Sequence, residues 1–263
     1  MLILQSKSAI KTFCSTVTNT FLIKSIGYIL RTFRNKKNDR QVLQKNKYSP
    51  TGNSVDMTQD HSTVKELGER PIQFQGNRLA AWLLKRLGWT LYFDGLPGPH
   101  GVMVVYPHTS NWDFFIGLLA KWAMGLQIQF LAKDSLFKIP LVGAWLRYLG
   151  GIAVVRSSPQ GYVQDMASSM LAREYAWVVI TPEGTRKSTP GWRSGFYRLA
   201  TLANIPVGLA FIDYRHKEIG VKHYIQLSHD ESLDLDRIRE EYADRAGFHP
   251  EDAAPITFWT PRS

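Results

Sequence analysis

Residues 101–125 read GVMVVYPHTSNWDFFIGLLAKWAMG. The first six form a continuous apolar run, the pattern of a strand buried on both faces. A mostly polar turn follows, and from Asp113 the chain becomes apolar again at helical spacing. Strand, turn and helix in direct succession form the unit from which parallel sheets are assembled, since parallel strands need a crossover between them.

The same alternation continues in both directions. Upstream, NRLAAWLLKRLG (77–88) carries a helical stripe of Leu79, Trp82, Leu83 and Leu87 beside Lys85 and Arg86, a helix that either packs on the domain or sits at a lipid interface with its Trp, and WTLYFDG reads as a strand. Downstream come a strand in QIQFLAK, a short helix in LVGAWLRYLG and a strand in GIAVVR. A helix over 158–174 leads to the strand WVVI, and SGFYRLATLAN is helical. IPVGLAFIDY and KHYIQLS are strands, and LDLDRIREEYADRA is a surface helix. The expected fold class is therefore α/β: a single domain with a mostly parallel central sheet flanked by helices. Ligands of such sheets bind beyond the carboxyl ends of the strands. Three polar clusters fall at such ends: PHTSNWD, VRSSP and TPEGTRKSTPGWRSG.

The bulk numbers narrow the function classes. The chain has 263 residues, 44% of them hydrophobic, and a formal net charge of +10. That charge is concentrated at the start, where residues 1–56 hold ten Lys/Arg against Asp39 and Asp56. The rest is nearly neutral, with 22 basic and 20 acidic side chains, so global basicity gives no argument for nucleic acid. The only cysteine is Cys14, which excludes an intrachain disulfide and a cysteine-built zinc site. No apolar run is long enough for a conventional transmembrane helix; FLIKSIGYIL (21–30) is too short and contains Lys24. Residues 1–60 read as a basic extension without a packed core of its own. Three accounts of it stay open: a transit peptide, a segment resting on an anionic membrane, or an upstream extension before a start at Met57. The folded domain is expected over 71–263.

The polar clusters carry the chemistry. Ser110 and Asp113 fit a capping box before an apolar run. His108 is left unexplained by capping. As a general base it would use Asp113 to fix its tautomer and to stabilise the imidazolium. The two accounts are compatible, since a carboxylate has two oxygens. In the third cluster, Glu183-Gly184-Thr185-Arg186 is a turn with an exposed guanidinium suited to bidentate phosphate binding. Arg156, at a strand end, is a further candidate for phosphate. Lys187, Arg193 and Arg198 taken singly read as a solvated basic loop. Trp112 and Trp192 read as packing residues, and Lys133 as the solvated end of a strand.

Taken in order, His108-x4-Asp113, KDSLFKIPLVG (133–143), GIAVVR (151–156), Pro182-Glu183-Gly184-Thr185-Arg186 and Ile205-Pro206-Val207 resemble the glycerolipid acyltransferases, which include the 1-acylglycerol-3-phosphate acyltransferases. The resemblance covers roughly residues 75–215. It implies an acyltransferase-like fold, His108 and Asp113 as the catalytic pair, and Glu183, Gly184, Thr185 and Arg186 as acceptor-binding residues with Arg186 towards a phosphate. Arg156 matches the arginine of the family's middle block. Pro107 stands where many members have Asn, and HTSNWD looks like a bacterial-type branch, which bears on the acceptor more than on the chemistry.

The expected reaction is transfer of a fatty acyl group from an acyl-CoA or acyl-carrier-protein thioester to a hydroxyl of a lysophospholipid or glycerol-phosphate-type acceptor. Such a thioester is already activated, so no enzyme nucleophile is needed. No G-x-S-x-G elbow for an acyl-enzyme hydrolase is present, and no zinc-hydrolase spacing supports a metal. No cofactor beyond the thioester co-substrate, no metal and no nucleic acid are expected. The partner is a membrane lipid acceptor, met by peripheral association on the cytoplasmic face of a membrane, in phospholipid biosynthesis. The competing expectation from another class is a non-catalytic peripheral protein that binds phospholipid through the basic opening and the 77–88 helix.

Overall fold

The computed structural model describes residues 64–154 and 161–259. The expectations for residues 1–60 and for Arg156 lie outside the described residues.

Five parallel strands make the centre of the sheet, in the order β7 (Val207–Asp213), β3 (His100–Tyr106), β6 (Ala176–Ile180), β4 (Gln129–Lys133) and β5 (Gly151–Val154). β8 (Glu218–Gln226) adds antiparallel to β7, and β1 (Lys65–Glu66) antiparallel to β8. β2 (Thr90–Tyr92) lies off this path, parallel to the start of β8. The α/β class and the mostly parallel sheet are thus as expected. β8 begins four residues before the expected KHYIQLS, because Glu218–Val221 pair with the outer half of β7.

Helices cover both faces. On one side lie α1 (Arg78–Arg86) and α2 (Trp112–Met124), whose Leu84, Ile116, Ala120 and Met124 form a core with Trp177 and Tyr224 of the sheet. On the other lie α5 (Tyr162–Leu171), α6 (Gly195–Ala203) and α7 (Glu231–Tyr242), packed on Val102, Val104, Leu209 and Phe211. A short α3 (Asp134–Phe137) and α4 (Pro140–Tyr148) link β4 to β5. β3 and β7 face core on both sides, which is why GVMVVY and IPVGLAFIDY are apolar without alternation.

Two local outcomes go beyond the sequence reading. α1 docks through Ala80 and Leu84, while Leu79, Trp82 and Leu87 of the expected stripe face solvent. The small Ala80 lets α1 approach its neighbour closely, and the Asn77 amide donates to the Trp122 carbonyl at 2.8 Å. α3 was not legible, since four residues are too few to show a helical period. Side-chain caps begin two of the helices, and a glycine ends a third. The Asn77 carboxamide accepts from the Leu79 and Ala80 amides, Asp230 caps α7 in the same way, and Gly125 ends α2 in the left-handed conformation.

Candidate active site

His108 follows β3 by two residues, at the carboxyl edge of the sheet's central strand. Its neighbours in space follow β6 and β7, the strands that flank β3. The Nδ1 atom of His108 lies 3.0 Å from Oδ2 of Asp113. The Asp113 side chain is only 2% exposed and the imidazole 16%, so the ring keeps an accessible edge while its anchor does not. An Nδ1–H directed at Asp113 leaves Nε2 unprotonated, which is the tautomer a general base needs.

Asp113 is held from three directions. The Ser110 amide donates to Oδ2 at 2.9 Å, and the Tyr214 hydroxyl donates to Oδ1 at 2.8 Å. Ser110 Oγ in turn accepts from the Trp112 amide at 3.2 Å. The capping box and the His/Asp pair therefore coexist on one carboxylate. Tyr214 is the residue that sequence reasoning missed. Burial, and then the adjacent Asp113 charge, push its phenol well above the usual range, so it remains a donor. Its ring meets Trp89 at 5.0 Å and Phe248 at 5.2 Å, both nearly perpendicular. Its amide donates to the Ala246 carbonyl at 2.8 Å. Just before it, the fully buried Asp213 pairs with His216 at 2.7 Å and Arg245 at 3.5 Å. The available signal was a phenol ending a buried strand, at the edge where ligands bind.

Glu183 has a different place from the one the resemblance implied. It is 2% exposed, and both oxygens accept backbone amides: Oε2 from His108 at 2.7 Å and Oε1 from Ala254 at 3.1 Å. It fixes the backbone of His108 rather than facing an acceptor. Burial pushes its carboxyl up to about 7, against the two amides, which favour the charged form; nearby Asp113 adds to the rise. A carboxyl raised from 4.5 to about 7 adds stability fully present below 4.5 and lost as pH rises through 7. The loss amounts to about 3 kcal/mol at ~1.4 kcal/mol per unit. Chemical denaturation of wild type and Glu183→Gln at pH 5 and pH 8 checks this. Wild type is expected to lose stability relative to the variant by that order; equal changes in both would contradict it.

The remaining predicted residues fan outward. Gly184 takes φ +66°, a left-handed conformation that glycine adopts without strain, and its amide closes the turn on the Thr181 carbonyl. Thr185 and Arg186 are exposed at the rim, and Arg186 has no ion-pair partner among the described residues. Lys187 pairs with Asp252 at 3.5 Å, and Arg193 lies 4.9 Å over the Trp259 ring, so these two are engaged as surface residues. Trp192 is fully buried between Tyr106, Phe196 and Tyr242, the packing role expected of it. Trp112 does not pack inward: it is half exposed and, among the described residues, meets only the aromatic ring of Phe115, at 5.9 Å. The PHTSNWD and TPEGTR clusters thus converge, while VRSSP lies outside the described residues. The His108 loop is closed from behind by the chain near residue 249, whose His249 amide donates to Thr109 Oγ1 at 3.0 Å.

Residues 92–208 match the family model described as Acyltransferase. That segment includes His108, Asp113 and Glu183–Arg186 and ends before Tyr214. A chloroplastic 1-acyl-sn-glycerol-3-phosphate acyltransferase of Brassica napus is 26% identical over 104 residues, which cover 38% of this chain and 30% of that protein. A chloroplastic 1-acyl-sn-glycerol-3-phosphate acyltransferase of Arabidopsis thaliana is 27% identical over 106 residues, covering 40% of this chain and again 30% of the relative. The match thus spans under a third of the length of these curated relatives. The crystal structure of the 1-acyl-sn-glycerophosphate acyltransferase PlsC from Thermotoga maritima superposes with a TM-score of 0.43 at 17% identity, covering 64% of this chain and 78% of that one.

Proposed function

We propose, from a chain whose residues 92–208 match the Acyltransferase family model, that this protein moves a fatty acyl group from an acyl-CoA or acyl-carrier-protein thioester to a hydroxyl of a lysophospholipid or glycerol-phosphate-type acceptor. The observation that carries the reading is the 3.0 Å His108–Asp113 contact on a carboxylate already fixed by Ser110 and Tyr214. His108 Nε2 takes the proton of the acceptor hydroxyl as that oxygen attacks the thioester carbonyl. The tetrahedral intermediate collapses with loss of the thiolate, which recovers the proton from the imidazolium. Asp113 stabilises that imidazolium and keeps the ring in register. Capping occupies the Ser110 and Trp112 amides, so oxyanion stabilisation falls to other donors.

Arg186, exposed on the rim beyond the Glu183 anchor, faces the acceptor's phosphate, with Gly184 and Thr185 shaping the turn and Arg156 as a second phosphate ligand. No helix of the described residues is long and apolar enough to cross a membrane. The protein reaches its lipid acceptor by peripheral association, on the cytoplasmic face. No cofactor beyond the thioester is required.

Steady-state transfer of labelled palmitate to paired acceptors, one with a phosphomonoester and one without, tests the assignment of Arg186. Arg186→Ala is expected to raise KM for the phosphate acceptor about tenfold or more, as loss of a charge-assisted hydrogen bond does, with kcat changing less. An equal effect on the acceptor without phosphate would remove Arg186 from that role.

A further inference from the structure

α4 is apolar on the side that faces water. Its inner side buries Gly143 and Leu146, whereas Leu141, Val142 and Tyr148 are exposed, Leu141 to 83%. Leu136 of α3 and Ile139, between α3 and α4, extend the same exposed apolar surface. An ordinary surface helix places polar residues there, and large exposed apolar patches mark interaction sites. The knuckle is tightly built. A Cβ on Gly143 would come within 2.3 Å of the Phe137 carbonyl oxygen, so only glycine lets α3 and α4 approach this closely.

Charge decides the partner. From Gln129 to Tyr148 the one acidic residue is Asp134, and it is neutralised by Lys138 at 2.9 Å. Lys133, Lys138 and Arg147 are exposed around the apolar residues. An apolar wedge with a basic rim and a tyrosine at its margin is the composition that rests in the headgroup region of an anionic bilayer. The patch is also continuous with the catalytic edge. Trp112, four residues past His108, meets Phe115 at 5.9 Å; Phe115 meets Phe114 at 5.7 Å, and Phe114 meets Trp145 of α4 at 5.8 Å.

We propose that the α3–α4 knuckle is the surface by which this protein docks on an anionic lipid bilayer, setting the His108 edge at the interface. The proposal rests on the lipid-acceptor reading and adds the face that makes the contact. The full chain, with Cys14→Ser, is labelled with an environment-sensitive fluorophore at Leu141→Cys or at Glu240→Cys. Glu240 is an exposed position on α7, which covers the opposite face of the sheet. Each is mixed with phosphatidylcholine vesicles with and without phosphatidylglycerol. The label at 141 is expected to shift to the blue and be quenched by lipid-borne quenchers when phosphatidylglycerol is present, and the label at 240 to stay unchanged. The Leu141→Asp, Val142→Asp double variant is expected to bind such vesicles about tenfold or more weakly. Both side chains are exposed, so the fold tolerates the change.

Vesicle binding with no response at 141, equal responses at both positions, or a shift at 141 that needs no lipid and grows with protein concentration, as a second copy would give, overturns the proposal. Acyl transfer by wild type is measured in the same vesicles. Transfer without a response at 141 overturns the docking face alone, while a response at 141 without transfer supports docking and sinks the acyltransferase reading.

Discussion

The His108→Ala variant transfers acyl groups at least about a hundredfold more slowly than wild type, the usual worth of a positioned general base. The effect is expected in kcat, because the imidazole removes a proton only as the new bond forms and contributes little to ground-state binding. Stability should change far less. Asp113 keeps the Ser110 amide and the Tyr214 hydroxyl in the variant, so the start of α2 remains capped. His108 N is held by Glu183 through the backbone, which the substitution does not touch. Parallel measurement of kcat and of the thermal midpoint separates the two roles of the motif. A variant of normal activity would leave Asp113 as a helix cap and nothing more.

Asp113→Asn should match or exceed that loss, falling about a hundredfold to ten-thousandfold in kcat, the range seen when a carboxylate orienting a catalytic histidine becomes an amide. An amide group turned towards Nδ1 donates to it, which moves the ring proton to Nε2 and abolishes the base. Turned the other way, it sets its NH2 against the Tyr214 hydroxyl and leaves that donor without an acceptor. Unlike His108→Ala, this variant should also lose stability, by about 1–3 kcal/mol, because a buried donor is left unpaired in either orientation. The double variant should be no slower than the worse of the two single ones, as expected for groups that act as a unit. Additive losses would mean that the two residues work independently.

Much of this was legible from residues alone, for identifiable reasons. Strands buried on both faces read as unbroken apolar runs, so β3 and β7 could be placed by sequence. His108 and Asp113 sit five residues apart across one turn, close enough for a His/Asp pair to stand beside helix capping as a reading of the spacing. Contacts across the sheet were not legible. Nothing local states that β3 lies between β6 and β7, and that order alone brings Glu183 to the His108 amide and Tyr214 to Asp113 over 101 residues of chain. The resemblance alone assigns Glu183 of Glu183-Gly184-Thr185-Arg186 to the acceptor, and nothing local to that polar turn shows its burial, which depends on the chain near Ala254 covering it. For α1 the stripe leaves two readings open, packing on the domain or lying at a lipid interface. Its largest apolar residues face out and its small Ala80 faces in, the reverse of what bulk suggests for a helix that only packs on a core.

The central claim is that the acyl group passes directly from thioester to acceptor hydroxyl with His108 as base. The most direct measurement follows label from palmitoyl-CoA and from palmitoyl-acyl carrier protein, with and without a lysophosphatidate acceptor, in both the lipid and the protein fractions. Label is expected in the diacyl product only when both substrates are present, with none retained on the protein when the donor is supplied alone. Stoichiometric label on the protein in the absence of acceptor, or no labelled product from any hydroxyl acceptor with either donor, would contradict it.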